Sequence, residues 1–195
     1  MEIYILRHGI AVERGTPGYK KDSERPLTKE GEEKMHQIAE AMLAMGLKFD
    51  LILSSPYVRA ADTAQIVASH LDEEVTFTDS LVAGGSSLEL IREINDAKVQ
   101  RVLLVGHEPD LSGLISILIS GGSDAAIELK KGGLCRLTTE KLIFGECSTL
   151  HWLLTPKQLR AMRLWEILKV SGRLLSPPQP RRGGCAINRM PRSHR

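Results

Sequence analysis

Short apolar runs alternate along the chain with longer segments in which apolar residues recur every three or four positions. The short runs predict strands because they have strand length and are bounded by polar or turn residues; they occupy residues 3–6, 51–53, 75–77 and 102–105. The segments between them predict helices, which lie after Thr28, over 60–71, over 87–97 and after Gly106-His107. Later runs near 133–138 and 148–154 predict a hairpin or edge strands, and a last helix follows Pro156.

Helix boundaries can be placed from single residues. Thr28 is a good N-cap for the first helix, and Gly46 is a natural stop for it. Pro109 suits the first turn of the helix that follows the run at 102–105, and Gly121 ends that helix.

Strands that alternate with helices predict parallel βαβ units with helices on both faces of the sheet. We therefore expect an α/β fold, a three-layer α/β/α sandwich with a mostly parallel central sheet. The 195 residues suit one domain, and 42% apolar content with only 4% aromatic residues predicts an aliphatic core.

The composition excludes several classes of protein. No apolar stretch has the length needed to cross a bilayer, and the N-terminus lacks the layout of a signal peptide. Three cysteines, odd in number and far apart, form neither a disulfide framework nor a CxxC pair. We expect a cytoplasmic protein with no membrane partner.

Charge is distributed unevenly. The chain has a net charge of +2, but seven basic and no acidic residues follow Glu166, which leaves 19 basic and 24 acidic side chains in residues 1–166, a net charge of −5. We predict a catalytic domain over residues 1–168 and a basic tail over residues 169–195, rich in Pro, Gly and Arg and disordered from about Ser176. Because no aromatic residue follows Trp165, the tail does not predict nucleic-acid binding.

Unusual polar residues follow three of the predicted strands. Arg7 and His8 come after the first strand, Ser54-Ser55-Pro56 with Arg59 after the second, and His107 after the fourth. Each residue alone is more often an ordinary packing, capping or surface residue. Because the carboxyl ends of parallel strands share one edge, however, the sequence predicts a single site there with two histidines and two arginines.

This set of side chains suits chemistry on a phosphoryl group. Arginine forks match phosphate oxygens, and a neutral imidazole is a nucleophile. We expect neighbouring arginines to lower the pKa of His8, which keeps that nucleophile unprotonated, and the second histidine, His107, to donate a hydrogen bond to a phosphoryl oxygen. Gly9 lets the backbone turn close to the ligand, and a backbone carbonyl there can orient the imidazole.

Other chemistries find no support. The glycines lack the GxG spacing of dinucleotide sites, and no GxxxxGK[ST] loop is present. A Cys-x5-Arg phosphatase is excluded because the sixth residues after the cysteines are Lys141, Leu153 and Pro191. A metal site is disfavoured because the arginines would repel a cation. We expect no metal and no cofactor.

These motifs resemble those of the histidine phosphatase (phosphoglycerate mutase-like) superfamily. The shared residues are Arg7-His8-Gly9, Ser54-Ser55-Pro56 with Arg59, Ala60 and Thr63, and Val105-Gly106-His107. Within it, Arg25-Pro26-Leu27-Thr28, Gly106-His107-Glu108-Pro109 and the short length resemble the SixA-type phosphohistidine phosphatases. The resemblance covers roughly residues 1–165 and implies a phosphoglycerate mutase-like fold.

The resemblance also implies roles for single residues. His8 corresponds to the phosphorylated nucleophile, and Arg7, Arg59 and His107 to the phosphate pocket. Arg25 corresponds to a residue at the mouth of that pocket. Gly9, Ser55 and Glu108 are further candidates for contact with the substrate.

The proton donor is left open. Many superfamily members supply a glutamate from the loop after the third strand, but residues 79–87 contain none. This fits a phosphoramidate substrate, whose imidazole leaving group needs less acid assistance than an alkoxide. It also fits another donor, such as Glu108, Asp22 or Glu24; a charge at a helix N-terminus accounts for Glu108 equally well.

The function expected from the resemblance is dephosphorylation of phosphohistidine on a signalling protein, through a covalent intermediate on His8. Too few residues separate Gly9 from Arg25 to build a lid, so a side chain of another protein could enter the pocket. The expected partner is a phosphorylated histidine-phosphotransfer domain or another phosphoprotein, and we expect a monomer. Two alternatives stay open: a phosphatase for a sugar or nucleotide phosphate, and a phosphohistidine-binding module without turnover.

Overall fold

The computed structural model describes residues 1–170, with side chains up to residue 163. Six strands lie in this part of the chain: β1 Glu2–Arg7, β2 Leu51–Ser54, β3 Val75–Phe77, β4 Arg101–Gly106, β5 Leu134–Thr138 and β6 Thr149–Leu154. Five α-helices alternate with them: α1 Lys29–Ala44, α2 Val58–Leu71, α3 Ser87–Ala97, α4 Asp110–Ser120 and α5 Pro156–Val170. Two short 3₁₀ turns occupy Asp22–Glu24 and Asp79–Leu81.

The strands form one mixed sheet in the order β3-β2-β4-β1-β5-β6. The first four strands of this order are parallel, while β5 is antiparallel to β1, and β6 to β5. The carboxyl ends of β1, β2 and β4 therefore lie at one edge of the sheet. This edge is called the carboxyl edge below.

Helices cover both faces of the sheet. One apolar cluster joins α1, α2 and α5 to one face through residues such as Met35, Ile38 and Leu159. The other cluster joins α3 and α4 to the opposite face through residues such as Ile94 and Leu114. The side chains of β1 alternate between the two clusters, as expected for a strand buried on both faces.

The predicted three-layer α/β/α architecture is confirmed, with small differences at the ends of elements. Thr28 caps α1 through a hydrogen bond from the backbone N–H of Gly31 to Oγ1 (3.0 Å), and Gly121 follows α4 with a positive φ of 78°. Pro109 is the N-cap of α4 and not a residue of its first turn. The two later strands form the expected hairpin, but only β6 is an edge strand, because β5 also pairs with β1.

The start of α1 packs tightly on the segment that leaves β1. The backbone N–H of Thr28 donates to the carbonyl of Ile10 (2.9 Å), and a β-bridge pairs Ala11 with Leu27. A Cβ atom added to Gly31 would lie 2.0 Å from the Ile10 carbonyl oxygen, so this contact requires glycine. These contacts close residues 12–26 into a loop at the carboxyl edge.

Two expectations for the whole chain can be compared with the structure. No helix among residues 1–170 is both long and apolar enough to span a membrane. The predicted basic tail lies almost entirely outside the described residues.

Candidate active site

His8 lies directly after β1 at the carboxyl edge and is 6% exposed. Its Nδ1 is 2.7 Å from the carbonyl oxygen of Gly9, and its Nε2 is 3.2 Å from Nε of Arg59. A carbonyl can only accept a hydrogen bond, and a guanidinium can only donate one. These two neighbours therefore place the imidazole proton on Nδ1 and leave Nε2 unprotonated, with its lone pair accepting the hydrogen bond from Arg59.

The pKa of His8 is lowered from 6.5 to about 3. Burial of the ring is the largest cause; the Gly9 carbonyl opposes it, and the positive charges of His107, Arg59 and Arg7 lower the pKa further. The imidazole is therefore neutral at physiological pH. The sequence predicted this direction from the arginines alone, whereas burial contributes more.

Arg59 lies in the first turn of α2, and its side chain is buried beside His8. Its Nη1 donates to the backbone carbonyl of Asp22 (2.7 Å), and its Nη2 donates to Oδ2 of the same residue (2.8 Å). The ring of Tyr57 lies 5.3 Å from the guanidinium carbon. These contacts hold the guanidinium so that its Nε points to Nε2 of His8.

Asp22 lies in the loop of residues 12–26 and binds three arginines. Besides Arg59, its carboxylate accepts hydrogen bonds from Arg25 (2.7 Å from Nη2) and Arg14 (3.1 Å from Nε). Partial burial raises the pKa of Asp22, but the hydrogen bonds from Arg25 and the charge of Arg59 outweigh burial and lower it to about 2. A carboxyl group ionised in this way has no proton to donate near neutral pH.

The third candidate donor, Glu24, also lies in this loop. It is exposed, and its carboxylate accepts a hydrogen bond from the backbone N–H of Lys21 (3.3 Å).

His107 follows β4 and is 2% exposed. Its Nε2 is 2.8 Å from Oγ of Ser55, which also accepts a hydrogen bond from the backbone N–H of Tyr57 (3.2 Å). The His107 and His8 rings have centroids 5.2 Å apart. Burial, and then the charge of Arg59, lowers the pKa of His107 to about 4. The buried Nδ1 of His107 has no hydrogen-bond partner among the described residues.

Arg7 and Glu108 flank the histidines. Arg7 donates from Nη1 to the backbone carbonyl of Leu129 (2.9 Å), and its buried Nε has no partner in residues 1–163. Burial lowers the pKa of Arg7, and the charge of Glu108 opposes this. Glu108 accepts a hydrogen bond from Ser112 (2.5 Å) on Oε2, while its Oε1 is buried without a partner in the same part of the chain.

Gly9 is positioned by a hydrogen bond to Thr63 and by close packing against Met35. Its N–H donates to Oγ1 of Thr63 (3.0 Å), and Thr63 donates in turn to the carbonyl of Arg59 (2.7 Å). A Cβ atom at Gly9 would lie 2.7 Å from Cγ of Met35. Thr63 thus links the residue after the nucleophile to the helix that carries Arg59.

The structure brings most of the predicted site residues together. Direct contacts join His8 to Gly9 and Arg59, and His107 to Ser55. Arg25 does not contact Arg59 directly; both arginines bind the carboxylate of Asp22. The sequence presented Asp22 only as one of three candidate proton donors, whereas the structure shows it connecting Arg25 to Arg59. The i,i+3 spacing of Asp22 and Arg25 could have indicated their ion pair from the sequence. No feature near Asp22 in the sequence indicated its contact with Arg59.

The arrangement suits an anion. Arg7 and Arg59 supply positive charge beside the unprotonated Nε2 of His8, and the buried Nε of Arg7 is a donor without a partner among residues 1–163. Across residues 1–163, no three His, Cys, Asp or Glu side chains are grouped as they would be around a metal ion. The geometry can therefore hold a phosphoryl group in front of a nitrogen nucleophile.

A family model described as the histidine phosphatase superfamily (branch 1) matches residues 3–82, which contain Arg7, His8 and Arg59. The chain belongs to this superfamily. An uncharacterized protein of Picosynechococcus is 36% identical to this chain over 141 residues, which are 70% of the chain and 84% of the relative.

Solved structures agree with this assignment. An Agrobacterium tumefaciens protein described as a candidate phosphohistidine phosphatase SixA is 26% identical, with a TM-score of 0.66, over 80% of this chain and 97% of that protein. A protein histidine phosphatase SixA complexed with tungstate has a TM-score of 0.70 and 23% identity, over 82% of this chain and 99% of the other. The likeness to the second structure shows a shared phosphoglycerate mutase-like fold.

Proposed function

We propose that the protein is a phosphohistidine phosphatase that removes the phosphoryl group from a histidine of a signalling protein. The observation that carries the proposal is the state of His8, whose Nε2 is unprotonated, buried and faced by Arg59 at 3.2 Å. A nucleophile prepared in this way can attack phosphorus without first losing a proton.

The reaction has two steps. In the first, Nε2 of His8 forms a bond to phosphorus, and the phosphorus–nitrogen bond to the substrate imidazole breaks. The leaving nitrogen keeps the electron pair of that bond and takes up a proton. In the second, water attacks the phosphorylated His8, inorganic phosphate leaves, and His8 is regenerated. Arg7, Arg59 and His107 stabilise the charge on the phosphoryl oxygens in both steps.

The carboxyl groups near His8 support a phosphoramidate substrate. Asp22 is ionised and bound to arginines, and the carboxylate of Glu24 accepts a hydrogen bond from the backbone N–H of Lys21 in its own turn. Glu108 is the remaining candidate donor: its Oε2 accepts a hydrogen bond from Ser112, and its Oε1 is buried without a partner among residues 1–163. An imidazole leaves with less acid assistance than an alkoxide does, so a site in which at most one of the three carboxyl groups can donate a proton suits cleavage of a phosphorus–nitrogen bond.

The two SixA structures support the proposal, because one is described as a protein histidine phosphatase and the other as a candidate phosphohistidine phosphatase. A sugar or nucleotide phosphate is the alternative substrate within the superfamily. A phosphohistidine-binding module without turnover is the alternative without catalysis.

The test uses a histidine-phosphotransfer domain phosphorylated on histidine with radioactive phosphate. We expect the wild-type protein to release inorganic phosphate and to carry a transient, acid-labile label. The His8→Ala variant should do neither, while His36→Ala, a change at an exposed histidine of α1, should leave both intact.

Three outcomes would contradict the proposal. Undiminished dephosphorylation by His8→Ala would exclude the covalent mechanism. A stable phosphoenzyme without release of phosphate would favour the binding module. High kcat/KM for one metabolite in a phosphate-ester panel, with no activity on the phosphoprotein, would favour the small-molecule phosphatase.

A further inference from the structure

A cavity of about 270 Å³ lies beside the active site, on the side of Gly9 that faces α1 and α5. Gly9 and Ile10 line it together with two buried α1 residues, Met35 and Ile38. Its floor is therefore apolar. Small-molecule sites usually measure roughly 300–1,000 Å³, so this cavity suits one or two apolar side chains better than a free metabolite.

Four basic residues surround this floor: Lys34, Lys131, Lys157 and Arg160. Lys34 pairs with Glu30 of the same helix, and Arg160 donates to the side chain of Gln37. Lys131 and Lys157 are exposed and have no ion pair among residues 1–163. In a segment of the chain whose net charge is −5, such a group of cations is a local excess of positive charge.

The cavity is connected to the nucleophile through the backbone. Gly132, the neighbour of Lys131, donates its N–H to the carbonyls of Arg7 (3.0 Å) and His8 (3.2 Å). The α5 helix begins at the carboxyl edge, because Leu154 at the end of β6 pairs with Leu134, which lies opposite Leu6. Lys131 and Lys157 therefore stand at the same edge of the sheet as His8.

We infer that this cavity is the docking site for the phosphoprotein: an acidic segment of the substrate protein contacts Lys131 and Lys157 and places an apolar side chain on Met35 and Ile38. The inference rests on the proposed function and specifies its partner. Charge complementarity and size argue for this occupant. Docking next to Gly9 would bring a neighbouring phosphohistidine to Nε2 of His8.

The test compares two substrates with the same reacting bond. One is a phosphorylated histidine-phosphotransfer domain with acidic residues around its histidine, and the other is phosphoimidazole, which is too small to contact the lysines. We expect Lys131→Glu/Lys157→Glu to lower kcat/KM for the phosphoprotein about tenfold or more, mainly through KM, and to leave phosphoimidazole cleavage unchanged. Lys131→Gln/Lys157→Gln should give a smaller loss in the same direction.

Lys141→Glu is the matched control. It makes the same Lys→Glu change, at one exposed lysine instead of two, after β5 at the opposite edge of the sheet, and should alter the cleavage of neither substrate. Added salt should weaken phosphoprotein turnover in the wild-type protein more than in the Lys131→Gln/Lys157→Gln variant.

The outcomes separate the two proposals. If the wild-type protein cleaves the phosphoprotein, but the lysine variants cleave it as efficiently or lose both substrates equally, the docking site is wrong and the proposed function stands. If the wild-type protein cleaves phosphoimidazole and not the phosphoprotein, both the protein substrate and the docking site are wrong.

Discussion

The His8 imidazole lies between a backbone carbonyl, which can only accept a hydrogen bond, and a guanidinium, which can only donate one. This pair of contacts fixes its tautomer without a carboxylate partner. Burial adds a second constraint, because a charged imidazole would lose its hydration in this position. The nucleophile is therefore kept in its reactive form by the fold before any substrate binds.

A titration of His8 should show this state directly. Because its pKa is lowered to about 3, we expect the ring to stay neutral, with the proton on Nδ1, as the pH falls from 8 to 5. Nitrogen-15 NMR of the imidazoles can check this. In the unfolded protein the same ring should titrate near 6.5, so stability should fall as the pH drops below about 6.5 towards 3. Titration of folded His8 near 6.5 would contradict the expectation.

Asp22 competes with the phosphoryl group for Arg59. The carboxylate occupies Nη2 of Arg59 and also binds Arg25 and Arg14, so it neutralises part of the positive charge that would attract a phosphate dianion. We expect it to limit retention of the product while it holds Arg59 in place.

The Asp22→Asn change separates charge from shape. It should tighten inhibition by inorganic phosphate roughly fivefold, because the loss of one partly exposed opposing charge near the anion is worth about 1 kcal/mol. We also expect kcat to fall, since Arg59 loses its ionic partner. Glu24→Gln removes the same charge from an exposed residue two positions away and should change neither value. Weaker phosphate binding in Asp22→Asn would refute this role for Asp22.

The residues that the sequence identified best are those next to strands. Arg7, His8 and His107 stand beside apolar runs whose direction is known, so their common edge follows from the parallel sheet. The contact between Asp22 and Arg59 could not be found in this way. Residues 12–26 have no apolar periodicity, and their position depends on tertiary contacts such as the bridge between Ala11 and Leu27.

At the level of elements, the helices and strands agree closely with the apolar pattern, because nearly every element buries one face. The run at 133–138 was harder to place. Its apolar residues cannot distinguish an edge strand from an internal one, and only the pairing of β5 with both β1 and β6 decides between them. A strand's neighbours are a property of the whole sheet.

Two helical glycines should respond to alanine in opposite ways. Gly31→Ala places a Cβ atom 2.0 Å from the carbonyl oxygen of Ile10, so we expect the free energy of unfolding to fall by roughly 1–3 kcal/mol. Gly113, inside α4, has nothing within 4 Å of an added Cβ, so Gly113→Ala should gain roughly 0.5–1 kcal/mol. Urea unfolding of both variants measures this difference. An unchanged or raised free energy of unfolding in Gly31→Ala would disprove the tight contact at Ile10.

At the scale of the whole molecule, charge is divided between residues 1–166, with a net charge of −5, and the segment after Glu166, which has basic and no acidic residues. The residues that form the candidate active site, and those whose backbone bonds to Arg7 and His8, lie between Arg7 and Gly133. The α5 helix lines the proposed docking cavity beside them. The disordered tail predicted from the composition stays a prediction, since residues 171–195 are outside the described part. The group of lysines beside Gly9 was not visible in the sequence, because its members come from separate segments.

The central position of β1 has a consequence for synthesis of the chain. The strand that leads to His8 is translated first, but its two partners in the sheet, β4 and β5, end at Gly106 and Thr138. At about 5–20 residues per second, this strand must wait on the order of ten seconds for its neighbours. Until then His8 has neither His107 nor the backbone of Gly132 beside it, so the site is incomplete in a growing chain until β5 has been made.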